Sequence, residues 1–244
     1  MKWKKRLNIL LTSGLAIFFT FAPVAAAPNG TAPPRDIPTF NPKNFVKQID
    51  NKYFPLKPGT TFIYRGENEG APTRAEVMVT NKTKKIMGVA TTVVRQINYE
   101  DGVLIEDTFD WFAQDKDGNV WYFGEDTTAF DENGNASTEG SWEAGVDGAK
   151  PGIIMLADSR KGDRYKQEFY AGVAEGMAQV IGYKDSLCVR YGCFKDVLQI
   201  KEWSPLDPGV VEYKYYAKGV GFIYAIVVKG GEEQIELARV RGGN

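Results

Sequence analysis

The chain has no histidine among its 244 residues. That absence excludes Ser-His-Asp and Cys-His catalysis and removes the commonest nitrogen ligand of zinc and copper. Cysteine is almost as scarce, with only Cys188 and Cys193. A lone C-x4-C pair without histidine is not a zinc site, and it lacks the C-x-x-C spacing of a redox motif. After the first 26 residues there is no long apolar run, so no membrane span is expected there. No 15-residue stretch holds a 3.6-residue period, so no long helix is expected either. Basic excess is missing as well, and nucleic acid is therefore not an expected partner.

The N-terminus is distinctive. MKWKKR is basic, Leu7–Phe21 is apolar, and APVAAA is built of small residues. This is the order of a secretory signal peptide, read here as residues 1–26 with cleavage after Ala26. Export from a bacterial cell follows, to the periplasm or the exterior. Removing Lys2, Lys4, Lys5 and Arg6 takes the chain from 30 basic and 31 acidic residues to 26 and 31, a net charge of −5. Residues 27–43 carry five prolines and read as an extended, disordered leader. Residues 44–244 read as one domain, with a short helix at most over 44–50.

From Tyr53 onward, short β-branched and aromatic runs alternate with turn signals. Strands are expected over 60–66, 73–83, 89–100, 103–114, 119–125, 127–131, 135–142, 163–170, 176–189, 194–203, 209–217, 220–229 and 233–240. Pro58-Gly59, Pro151-Gly152 and Pro208-Gly209 read as type II turns. Asp117-Gly118, Asn133-Gly134 and Gly230-Gly231 read as hairpin loops. The expected fold is all-β: an antiparallel curved sheet or flattened barrel that hides its edges.

The stretch FDWFAQDKDGNVWYFGED, residues 109–126, sets Asp and Asn between two bursts of aromatics. A two-residue loop at Asp117-Gly118 would pair Phe112 with Phe123 and Asp110 with Glu125. As an EF-hand loop DKDGN fails, because position 6 is Val120 and the flanks are strands. It reads as a turn. The surrounding region stays notable: from Glu100 to Asp147 there are fourteen acidic residues and one basic residue, Lys116. Opposed carboxylates such as Asp110 and Glu125 need a neutraliser. A Lys or Arg from elsewhere, a Ca²⁺ ion or a different register would each serve. Asp110, Asp115, Asp117 and Glu125 are the calcium candidates, with Asp107 and Asp126 nearby; no other cofactor is expected. A glycosidase-like carboxylate pair would draw on Asp107, Asp110, Glu125 or Glu143.

Cys188 and Cys193 bracket Val189-Arg190-Tyr191-Gly192, so a turn there would bring them within reach of a disulfide. Aromatics make up 13% of the chain, and those of β-strands 103–114 and 119–125 point to both faces. Such a sheet is covered on both sides or lines a cavity on one. Trp111, Phe112, Trp121, Phe123, Tyr213 and Tyr215 are the candidate ligand-binding rings.

Four stretches together, FVKQIDNKYFPLKPGTTFIYRG, DTFDWFAQDKDGNVWYFGE, GSWEAGVDGAKPGIIM and VVEYKYYAKGVGFI, resemble a family of exported bacterial β proteins without an assigned activity. The PLKPGT turn, a late YG-x-F turn and the YYAKGVG strand are also similar to broader groups of periplasmic β proteins, whose half-open sheets resemble those of the outer-membrane lipoprotein carriers that hold acyl chains. The resemblance implies a curved sheet and supplies no catalytic residues. The expected function is non-catalytic binding of a small apolar or amphipathic molecule in the concavity of the sheet. The alternatives are a carboxylate hydrolase acting on polysaccharide and a calcium-stabilised envelope protein.

Overall fold

The computed structural model describes residues 38–243. The signal peptide read over 1–26 and most of the leader read over 27–43 lie outside them. Past a 3-10 turn at Pro42–Asn44, the described chain is β structure. The helix expected over 44–50 does not form: that segment is extended and makes bridges, Phe45 to Asp115 and Ile49 to Leu56.

The strands are β1 (Thr61–Asn68), β2 (Ala71–Ile86), β3 (Val89–Glu100), β4 (Val103–Gln114) and β5 (Val120–Phe130). Short pieces follow: β6 (Ala136–Ser137), β7 (Trp142–Glu143), β8 (Lys150–Met155), β9 (Arg164–Lys166) and β10 (Glu168–Phe169). The last five are β11 (Met177–Val189), β12 (Gly192–Ser204), β13 (Asp207–Ala217), β14 (Gly221–Lys229) and β15 (Glu233–Arg241). All belong to one antiparallel sheet in the order β10-β8-β5-β4-β3-β2-β1-β15-β14-β13-β12-β11-β9, with β6 and β7 also on β5. Its two edges are neighbours in the chain. β9 ends one edge, β10 ends the other, and only Gln167 separates them. The sheet therefore wraps round almost to itself without closing.

Tight hairpins set the register of the first strands. Met87-Gly88 and Asp101-Gly102 have positive φ at both residues, the type I′ geometry that matches strand twist. Pro58-Gly59 is the type II turn expected: Gly59 has φ +86° and Thr60 N donates to Lys57 O. The other two Pro-Gly pairs are strand, not turn. Pro208-Gly209 lies inside β13, and the hairpin before it turns between Ser204 and Asp207. Pro151-Gly152 begins β8, a strand the sequence reading missed. A Cβ on Gly152 would sit 2.1 Å from Gln167 O, so the glycine serves close backbone approach at the seam.

The concave side is filled with rings. Phe54 packs on Phe112 (5.5 Å between centroids) and Tyr216 (6.4 Å), Tyr216 on Phe222 (5.8 Å), and Phe222 on Tyr64 (5.1 Å). Phe54 belongs to the segment ahead of β1, which also buries Ile49, Tyr53 and Leu56. The segment is stitched in place. Asn51 donates to Gly118 O and Leu156 O, Gln114 accepts from Asp50 N and Asn51 N, and Gly219 N donates to Lys52 O. The chain thus inserts its own apolar residues into the hollow of the sheet.

Candidate functional site

The opposed pair Asp110 and Glu125 does form, by a route other than the one expected. The loop has three residues, not two. Asp115 N donates to Asn119 O and Gly118 N to Asp115 O, which pairs Phe112 with Tyr122. A bulge between Asp110 and Phe112 then shifts the register by one. Phe112 and Tyr122 stack at 5.0 Å on the concave face, while Trp121 and Phe123 face outward.

The turn consumes the Asp115 carboxylate. It accepts from Asn119 N (2.9 Å), Asn119 Nδ2 (3.0 Å) and the buried Trp121 Nε1 (2.8 Å). Asp131 and Asn135 repeat the arrangement at the tip of the next hairpin, without a tryptophan. D-x-x-G-N is therefore a self-capped loop in this chain. Replacing Asp115 by Ala should cost about 1–3 kcal/mol, because an indole N–H is left buried and unpaired. Asp131→Ala, at an exposed tip, should leave the unfolding midpoint essentially unchanged. Urea unfolding of the two variants measures the contrast.

The four calcium candidates do not converge. Asp110 and Glu125 are inside the sheet, Asp115 is held in its turn, and Asp117 is exposed. Among the described residues no three acidic or cysteine side chains are grouped to hold a metal ion. The hydrolase candidates divide in the same way. Asp107 bonds Arg95 at 2.8 and 2.6 Å, and Glu143 pairs with Lys84 at 2.7 Å, while Asp110 and Glu125 are sealed inside.

The six candidate rings do not share a face. Trp121 and Phe123 lie on the convex side beneath Phe40 and Phe45, at 5.6–6.1 Å. Trp111 is capped by Lys84, whose Nζ lies 3.4 Å from the ring centroid. Phe112 is in the concave core. Tyr215 is on the convex face of β13, against Tyr224 at 5.5 Å and Gln199. Tyr213, two residues away, is half-buried on that same side. Cys188 and Cys193 are cross-strand partners and form the expected disulfide.

What sequence reasoning missed is a polar layer inside the sheet. Glu106, Asp110 and Glu125 on β4 and β5 are buried, as are Glu168 on β10, Glu202 on β12, and Glu212 and Lys214 on β13. Lys214 Nζ lies 2.7 Å from Glu202 and 3.6 Å from Glu212, and Gln167 Nε2 donates to Glu202 at 2.9 Å. Burial alone would lower the lysine's pKa, but the two glutamates outweigh it and keep the ammonium charged. Burial pushes Glu212 up to about 8 despite that lysine, and Glu106 up to about 7 against hydrogen bonds from Thr108 and Asn98. Asp110 is raised well above the carboxylate range by burial and by Glu106 and Glu168, against its bond from Tyr122 OH at 2.9 Å and the field of Lys214. Asp110 of the opposed pair thus lies in the field of a lysine from a distant strand, while burial pushes it toward its protonated form. One sequence signal existed: the alternation VEYKYY puts Glu212, Lys214 and Tyr216 on one face of a strand.

The convex face carries the opposite charge. Around a groove of about 310 Å³ stand Arg65 on β1, Arg74 on β2, Arg239 and Arg241 on β15, and Arg190. Arg190 sits at the tip of the β11–β12 hairpin, just beyond the disulfide. That tip crosses to β15, where Tyr191 N donates to Leu237 O at 3.0 Å. Arg190 is fixed by Glu236, which accepts its backbone N at 2.8 Å and its Nε at 2.7 Å. Arg74 pairs with Glu76 and lies over the Tyr99 ring at 5.3 Å. Arg65 and Arg74 are directly opposed across β1 and β2, a like-charge pairing that is unfavourable without an anion between them. Among the described residues, Arg65, Arg239 and Arg241 have no carboxylate partner.

No family model matches the sequence, and no curated protein does. Two solved structures are similar in fold. One is a Bacteroides fragilis protein inferred to be exported, with a YmcC-like fold; it is 12% identical, with 78% of this chain and 99% of that chain covered and a TM-score of 0.43. The other is an inferred lipoprotein from Parabacteroides distasonis, 14% identical, covering 79% and 100%, with a TM-score of 0.38.

Proposed function

We propose that the protein is a non-catalytic binding module that holds an anionic or anionic amphipathic molecule against its convex face. The carrying observation is the groove of five arginines on a chain whose charge is otherwise negative. Guanidinium groups form paired, charge-assisted bonds to carboxylate, sulfate and phosphate, and among the described residues three of these five have no carboxylate partner. Binding of an apolar ligand inside the concavity is the weaker reading, because Ile49, Tyr53, Phe54 and Leu56 already occupy that space. Hydrolysis has less support still. The acids of the interior are buried, and the two outer candidates, Asp107 and Glu143, are tied to Arg95 and Lys84.

The test is titration with polyphosphate, an anion bearing no sugar and no lipid, by calorimetry at low and high salt. Binding should weaken with salt, as for exposed charges. Arg65→Glu with Arg239→Glu should weaken it by more than about 100-fold, since each lost charged contact removes roughly 1.5–3 kcal/mol. Unchanged affinity in that variant would dispose of the groove as the site.

A further inference from the structure

The arginines are not isolated on the convex face. Strand pairing places Tyr224, Glu236, Arg65, Arg74 and Tyr99 in one row across β14, β15, β1, β2 and β3. Directly paired residues share a face, so all five side chains stand on the same side of the sheet. Neighbouring strands are about 4.8 Å apart, so the row spans roughly 19 Å. That is longer than a single phosphate or carboxylate group needs. Its ends are half-buried rings and its middle is cationic.

Four of the five members of the row are held, Arg65 being the exception. Tyr224 OH donates to Gln234 Oε1 at 3.1 Å, and Gln234 Nε2 donates to Glu67 at 2.7 Å. Tyr99 carries Arg74 over its face. Glu236, the one acid in the row, is occupied by Arg190 and so does not repel an incoming anion as a free carboxylate would. Aromatic rings beside an arginine pair suit a ligand that alternates flat apolar faces with negative groups. Pyranose rings present C–H faces to aromatic rings, and uronic acids add a carboxylate to each ring.

Building on the anion-binding reading above, we infer that the ligand is an acidic polysaccharide laid across the strands, its sugar rings against Tyr224 and Tyr99 and its carboxylates on Arg65 and Arg74. The row supplies positions for several consecutive sugars, which favours a polymer over a monosaccharide. Neutral glycans lack the groups the arginines require. Phospholipid surfaces and polyphosphate satisfy the arginines and leave the tyrosines unused.

The experiment compares polygalacturonate, polyphosphate, neutral dextran and phosphatidylglycerol vesicles on the full exported chain. Wild-type protein should bind polygalacturonate and fail to retain dextran. Tyr224→Ala with Tyr99→Ala should weaken polygalacturonate about tenfold and polyphosphate less than about twofold, with the charge contacts intact. Tyr224→Phe keeps the ring and should bind like wild type, which guards against a folding defect in the double variant. Polygalacturonate binding that ignores both tyrosines overturns the glycan assignment while leaving an anion site standing. Preference for vesicles does the same in favour of a lipid surface. Failure to bind any of the anions overturns both readings.

Discussion

Lys214→Met should lower the melting temperature by about 10 °C, the largest effect expected of any single substitution at this site. The lysine is 2% exposed and its ammonium is the cation held between Glu202 and Glu212. Methionine preserves the stem's volume, so the loss reports charge rather than a cavity. Removing one partner of a buried ion pair costs about 3–5 kcal/mol because the other charge is left without compensation. In a domain of this size each kcal/mol moves the midpoint by about 2–4 °C. The second variant in the cycle is Lys214→Met with Glu202→Gln. Gln167 still finds an oxygen acceptor there, and most of the lost stability should return. A double variant no better than the single one would mean that the loss does not come from an uncompensated charge on Glu202. Calorimetric melts of wild type and both variants decide it.

The second large effect is on pH. Glu106 has its ordinary value of 4.5 raised by burial to about 7, and Glu212 is raised to about 8. Below 4.5 both groups carry protons in the folded and the unfolded chain, and their contribution to stability is fully present. Above 4.5 the unfolded chain releases those protons while the folded chain keeps them. Stability then falls by about 1.4 kcal/mol per pH unit for each group, since the native state binds more protons. For Glu106 the fall ends near pH 7 and totals roughly 3 kcal/mol; for Glu212 it continues to about pH 8. The protein should therefore melt higher at pH 5 than at pH 8, against the common trend of acid destabilisation. Glu106→Gln should flatten the slope between pH 4.5 and 7 by one proton's worth. A melting temperature that rises from pH 5 to pH 8 would show that the interior acids are ionised in the folded state.

The strands were readable and their partners were not. Expected bounds for 89–100 and 103–114 coincide with β3 and β4, because β-branched and aromatic runs ended at glycine-bearing turns. KPGIIM was lost because Pro151-Gly152 looks like a turn, while its glycine answers to a backbone that passes nearby only in the folded chain. The Asp110–Glu125 pairing was reached through a wrong loop length, corrected by a bulge that no local pattern announces. The polar interior was illegible for a related reason. The field of Lys214 reaches Asp110 only because the sheet curls, and curvature is a property of the whole set of strands. The arginine groove was hidden by distance: Arg65, Arg190 and Arg239 are unremarkable in sequence, and convergence comes from pairing the first long strand with the last.

That pairing bears on when the protein can act. β1 lies against β15, so that Gln234 reaches Glu67 across 167 positions of chain. A nascent polypeptide has β1 and β2 but not their neighbour on the other side, and contacts this remote form slowly. The cationic cleft comes into being only once the final strand has arrived, and a chain cut short before residue 233 would lack Arg239 and Arg241 beside Arg65.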